Sequence, residues 1–357
     1  VTSALTTTPA TGRRSRLRGL DGLRFLAAAV VVGYHYTGID TGYWDQPPST
    51  VFPTLNNVTR YGFLGVELFF VISGFVILMT AWGRSLPGFV ASRVARLYPA
   101  YWVAVLVTVG LQVVWTGGRQ LGWFDDLTNL TMAQEGFGIA SVQGAFWTLW
   151  VELKFYLLAA LLLLVGFTPR RIVAFAVLWP LVGEVFRLAQ WSFLEDLFIV
   201  EYAPYFGVGM LLFLIHREGG TALRWAAMVV TGLLCVEQTV RHAPIGTRVV
   251  GVEISPVVCA VVVVAMIASV WLVADGPLRH VDWRWLSVVG ALTYPLYLVH
   301  GQFGFAVIDT LHGHLSPYAV LAVAVALALT LAVALHYLVE RRWHDRLRDG
   351  VLRLLRG

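Results

Sequence analysis

Apolar stretches long enough to cross a lipid bilayer recur from one end of this 357-residue chain to the other. About 20 consecutive apolar residues, each adding about 1.5 Å of helical rise, span the hydrocarbon of a membrane. Such stretches lie near residues 22–40, 62–81, 97–115, 145–165, 172–189, 195–215, 222–238, 255–274, 286–308 and 317–339. Lipid offers no partner to a free backbone amide, so each stretch must be helical. The expected fold class is an all-α integral membrane protein, a bundle of about ten transmembrane helices. Pro180, Pro204 and Pro295 shorten or bend some spans, which neighbouring helices can tolerate.

Length alone would allow two soluble domains. Hydropathy excludes them: only 13% of residues are charged, against about 25% in soluble domains. The net charge of +5 is almost all arginine, with Lys154 the single lysine, and most of it flanks apolar segments. No basic patch with interleaved aromatics lies outside the spans, so a nucleic-acid partner is not expected. Cys235 and Cys259 sit in apolar stretches, with no disulfide framework and no metal-ligand spacing. The N-terminus shows no cleavable signal pattern, and its first apolar stretch is expected to be a retained helix.

Loop charge orients the bundle. With the N-terminus inside, 20 arginines fall on the cytoplasmic side, beginning with Arg13, Arg14, Arg16 and Arg18. Arg60, Arg119, Arg187, Arg241 and Arg248 fall outside. That bias places both termini in the cytoplasm of a multi-pass plasma-membrane protein. Residues 1–19 then form a basic cytoplasmic segment, 20–340 the membrane domain and 341–357 a basic cytoplasmic tail. The longest outer loops, near 41–61, 116–144 and 239–254, carry Trp44, Trp115 and Trp123 with Asp45, Asp125, Asp126 and Glu135. These tryptophans suit an interfacial belt or a surface on which a sugar stacks.

Ionisable groups inside spans are costly, and each is a functional candidate. They are His35, Glu67, Glu152, Lys154, Glu184, Glu237 and His300. Arg24 precedes His35 by eleven residues, about 16 Å of helix, which puts the histidine near mid-membrane. The second span reads Gly65-Val66-Glu67-Leu68-Phe69-Phe70, then Ser73-Gly74-Phe75. A following cytoplasmic loop carries Arg93 and Arg96, the fourth span opens Trp147-x4-Glu152, and the ninth holds Tyr294-x2-Tyr297-x2-His300.

In this order, the segments resemble acyltransferase family 3 of membrane proteins, over about residues 17–343. The resemblance implies transfer of an acyl group, commonly acetyl from acetyl-CoA, to a hydroxyl of a carbohydrate or related acceptor. Family acceptors include cell-surface polysaccharides, lipid-linked sugars and macrolide antibiotics. It also implies that Glu67, Trp147, Tyr297 and His300 face the substrate. Glu67 departs from the pattern, standing where aspartate is common. The soluble domain that some members add for later steps is not seen, so the reaction is expected to finish within the membrane domain or to pass its product on.

The chemistry agrees. A sugar hydroxyl is a poor nucleophile and needs a base, for which histidine is suited. His35 is the expected base, with Glu152 as its orienter or a second proton acceptor. CoA phosphates need cations, and Arg93 and Arg96, one helical turn apart, offer planar multi-donor groups. Arg24 binds CoA or anchors its helix end. Ser73 reads as a nucleophile or, more often for small membrane residues, as a packing device. His300 binds substrate or packs against a neighbouring helix. Glu340 simply ends the last span. The competing class is a transporter or proton-coupled carrier, which also uses buried His and Glu. No internal repeat of the kind carriers show is visible.

Overall fold

A computed structural model describes residues 17–356, and Arg13, Arg14 and Arg16 of the expected basic segment lie outside the described residues. Among the described residues every regular element is helical. The main helices are α1 (Arg18–Gly33), α2 (Gly65–Ala81), α3 (Leu86–Val114), α4 (Trp147–Val165), α5 (Pro169–Leu188) and α6 (Ala203–Glu218). After them come α7 (Ala222–Val250), α8 (Pro256–Ala274), α9 (Arg284–Leu311), α10 (Pro317–Leu335) and α11 (Arg341–Arg356).

Six helices among the described residues are long and apolar enough to cross a membrane: Pro53–Ala81, Leu86–Val114, Gly144–Val165, Ala222–Val250, Pro256–Ala274 and Pro317–Arg356. α1, α5, α6 and α9 pack among them. α8 and α10 each bury only 5 of 19 residues, yet their exposed faces are valine, leucine and alanine. An apolar face turned outward at this density is stable only against lipid.

α6 is the hub, with 13 of its 16 residues buried, and it packs against α2, α5 and α7. A Cβ at Gly74 would meet the carbonyl oxygen of Phe206, and one at Gly209 that of Val71. The bare glycines let the backbones of α2 and α6 touch, the small-residue contact that replaces hydrophobic driving force in lipid.

Several boundaries differ from the sequence expectation. α3 begins at Leu86 rather than 97, because Ser85 caps it by accepting from Gly88 N and Pro87 fits its first turn. Arg93 and Arg96 therefore sit on a helix, not in a loop. α1 begins at Arg18, so Arg24 lies well inside the helix rather than at its end. α7 runs through the expected 239–254 loop to Val250 and stops at Gly251, whose φ of 74° closes its end. The sixth span starts at Ala203, after a separate short helix Ser192–Leu197. The 41–61 and 116–144 loops contain short helices at Pro53–Thr59 and Trp123–Asn129.

Two helices end in π-turns. α1 widens into Tyr34–Gly38, which carries His35, and α10 into His336–Glu340. Such bulges re-aim side chains and concentrate at functional sites. Both flank the polar interior described next.

Candidate active site

α1 and α9 pack side by side, and this brings His35 to His300. The proton positions follow from the fixed acceptors around the two rings. Nδ1 of His300 lies 2.9 Å from Tyr297 O and 3.2 Å from Leu296 O. Carbonyls only accept, so this Nδ1 carries a proton and Nε2 of the neutral ring is bare. That Nε2 lies 3.1 Å from Nδ1 of His35, which therefore donates to it, while also lying 3.0 Å from Val31 O. Nε2 of His35 is left as the acceptor nitrogen. Tyr36 locks the arrangement by donating to the carbonyl of His300 at 2.6 Å.

His35 opens into a cavity of about 390 Å³. Glu67, Trp147, Glu201, Tyr202 and Tyr297 share its lining. Oε2 of Glu67 is buried without a hydrogen-bond partner. The Trp147 and Tyr202 rings pack with centroids 5.4 Å apart. His300 is fully buried behind His35 and stays off the cavity wall. The Tyr297 hydroxyl is engaged with Thr148 Oγ1 at 2.6 Å and Ala145 O at 2.7 Å.

Glu152 occupies a different level. Its carboxylate accepts from Tyr156 at 2.5 Å and from Ser73 at 3.2 Å, and its hydrogen bonds do not include His35. It lies one step toward the arginines, in a narrow space of about 60 Å³ lined also by Arg24, Ser73, Thr293 and Tyr297. Thr293 Oγ1 there is buried without a partner.

Arg24, Arg93 and Arg96 line one chamber of about 180 Å³, with Ser73, Glu152 and Tyr156. The α3 register puts both of its arginines on this wall, three residues apart. Arg93 bonds only Ser92 Oγ, at 3.2 Å, and lies over the Tyr156 ring at 5.8 Å. Arg96 is ion-paired at 3.1 Å with Glu340, which also takes His336 at 2.7 Å. Glu340 is thus a buried partner rather than a helix end. Tyr156 is not among the residues the sequence singles out, and Glu340 reads there only as the end of the last span, although Glu152-x3-Tyr156 and His336-x3-Glu340 are i,i+4 pairs.

Neighbouring cavities share walls. The arginine chamber and the narrow space share Arg24, Ser73, Glu152 and Tyr294. The narrow space and the His35 cavity share Val66 and Tyr297. Three adjoining spaces thus lie between the three arginines and His35, which stands about 16 Å from Arg24 along α1.

A lipid-facing helical bundle enclosing such a series of spaces, lined by arginine, glutamate and histidine, defines a polytopic membrane protein with a buried polar site. The chain belongs to acyltransferase family 3, whose acyltransferase domain matches residues 17–337. Over 173 residues it is 30% identical to the peptidoglycan O-acetyltransferase OatA of Listeria monocytogenes, covering 43% of this chain and 25% of that one. Over 167 residues it is 32% identical to nodulation protein 10 of Rhizobium leguminosarum, covering 40% of this chain and 43% of that one. The matched part is thus less than half the length of either relative. No solved structure matches the chain.

Proposed function

We propose that this chain is a membrane O-acetyltransferase that moves acetyl from acetyl-CoA to a hydroxyl of a carbohydrate or glycosylated acceptor. The observation that supports it most is the series of adjoining spaces between the His35–His300 pair and the arginine chamber. In this reading Arg24, Arg93 and Arg96 hold the CoA phosphates, and the pantetheine arm carries the thioester past Glu152 and Ser73 to His35. Nε2 of His35 takes the acceptor's hydroxyl proton as the oxygen attacks the thioester carbonyl. The C–S bond breaks, and the imidazolium returns its proton to the departing thiolate, so ester and CoA thiol are the products.

His300 takes the orienting role that Glu152 was expected to fill, holding the His35 tautomer. Glu67 across the cavity stabilises the imidazolium. Glu152 acts at the neck, setting Tyr156 and Ser73 beside the donor. Ten spans with both termini in the cytoplasm, in the plasma membrane, put the arginine chamber on the CoA side; residues 20–340 form the membrane domain.

The test is turnover of isotope-labelled acetyl-CoA by purified protein in lipid nanodiscs, wild type beside His35→Ala. Label leaving CoA with the wild type alone supports donor and base together. Folded wild type that neither binds nor consumes acetyl-CoA overturns the proposal and favours a carrier.

A further inference from the structure

Adjoining the His35 cavity, and sharing no lining residue with the narrow space, lies a second and larger chamber of about 490 Å³. The two share Glu201, Tyr202, Gln238, His242 and Ile245. At this shared wall Glu201 accepts from Tyr202 at 3.0 Å and pairs with His242 Nε2 at 3.2 Å. Nδ1 of His242 is held by the Gln238 carbonyl at 2.8 Å. A hydrogen-bonded pair thus stands between the chamber and the base.

The chamber differs in kind from the arginine chamber. Its charged lining is Lys154, Arg187 and Arg241 against Glu195, Asp196 and Glu201, three of each sign. Each cation is already paired: Lys154 with Asp196 at 2.7 Å, and Arg187 and Arg241 with Glu184 at 2.6 and 2.9 Å. Such a lining has little field to offer an anion, but many fixed donors and acceptors for a neutral ligand. The Trp147–Tyr202 aromatic wall begins where it meets the His35 cavity. Ile199, on its wall, is held at φ 44°, a left-handed conformation that a β-branched residue adopts only when its surroundings enforce it.

We infer that this chamber is the acceptor's entry and binding site, that it takes a hydroxyl-rich glycan, and that Glu201 and His242 present the reacting sugar to His35. The inference rests on the acetyl-transfer reading and adds the acceptor's route. Donor and acceptor then reach the base by separate routes: a polyanion through the arginines, an uncharged saccharide through the balanced chamber. Water is kept from the thioester between them by Tyr202 and Tyr297.

The probe is a set of soluble, uncharged glycan fragments, β-1,4-linked N-acetylglucosamine oligomers, with CoA binding and acetyl transfer measured in nanodiscs. Glu201→Gln and His242→Gln should each raise the KM for the fragments about tenfold, as expected for losing hydrogen bonds to a charged group, with the Kd for CoA unchanged. Ser192→Trp narrows the chamber without replacing any member of an ion pair and should raise the same KM, and melting curves of all three variants guard against misfolding. An unchanged KM in all three, or a parallel loss of CoA affinity, overturns the inference. Wild type that consumes acetyl-CoA yet acetylates no fragment overturns the glycan reading and leaves acetyl transfer standing. Wild type that does not bind CoA overturns the acetyl-transfer reading itself.

Discussion

The imidazole of His300 lies behind that of His35, Nε2 to Nδ1 at 3.1 Å, and its own Nδ1 is tied to the carbonyls of Tyr297 and Leu296. One ring therefore dictates the tautomer of the other across two helices. The carbonyls cannot give a proton, so the order of donors is fixed from the backbone outward. The same bulge that ends α1 turns His35 to meet this partner.

If His300 orients rather than touches the acceptor, His300→Phe should keep the KM for acetyl-CoA and lower kcat by one to two orders of magnitude. His35→Ala should lower kcat by about 100-fold or more, the usual worth of a general base. The double variant should be no slower than His35→Ala alone. Steady-state kinetics on the four proteins check this, and fully additive losses would mean the two rings act separately.

Arg93 and Arg96 should separate binding from stability. Among the described residues Arg93 has no acid partner, so Arg93→Ala should weaken CoA about tenfold, the loss of a charge-assisted bond, with little change in melting temperature. Arg96→Ala also leaves buried Glu340 with His336 as its remaining partner and should cost about 1–3 kcal/mol of stability. Arg96→Ala with Glu340→Gln should recover most of the melting temperature but not the CoA affinity. Isothermal titration and thermal melts of the same preparations read both.

Much of this site was legible in the sequence because ionisable residues in apolar runs are rare. His35, Glu67, Glu152 and His300 stand out on cost alone, while Arg24, Arg93 and Arg96 stand out only by their place in the order of segments that carries the family resemblance. Their partners did not. His35 and His300 are 265 residues apart, and their bond depends on α1 lying beside α9, which no local pattern encodes. Glu152 seemed near His35 on depth, but the side of the helix it faces gives it to Ser73 and Tyr156. The early start of α3 was available in Ser85 and Pro87, whereas hydropathy alone located only its apolar half.

Outside the membrane spans, His312 at the end of α9 meets Asp45 at 3.0 Å. Desolvation pulls its pKa down, but the Ile308 carbonyl and the Asp45 carboxylate outweigh this and leave it above the ordinary histidine value. A raised folded value means the pair stabilises the protein fully below about pH 6.5, the unfolded value. That stability is lost as pH climbs through the raised value. Asp45→Asn should therefore lower the melting temperature at pH 5.5 and leave it unchanged at pH 9. Since Asp45 is largely exposed, the shift should be small and should shrink further in high salt. Equal shifts at both pH values would assign the effect to the loop backbone instead.

The contact of α2 with α6 sets the distance between the walls of the site, since Ser73 beside Gly74 bonds Glu152. Gly209→Ala places a methyl against the Val71 carbonyl, where backbone rather than a flexible side chain must move. The cost should be about 1–3 kcal/mol, the range for overpacking a close contact. Because α2 also carries Glu67, the shift should slow transfer as well, and kcat should fall before the bundle unfolds. Gly110→Ala in α3, where a Cβ meets nothing within 4 Å, serves as the control and should leave the rate unchanged and the melting temperature equal or slightly higher. Parallel melts and transfer rates decide it: a Gly209→Ala protein as stable and as fast as wild type would mean that α2 and α6 are not in backbone contact in the membrane.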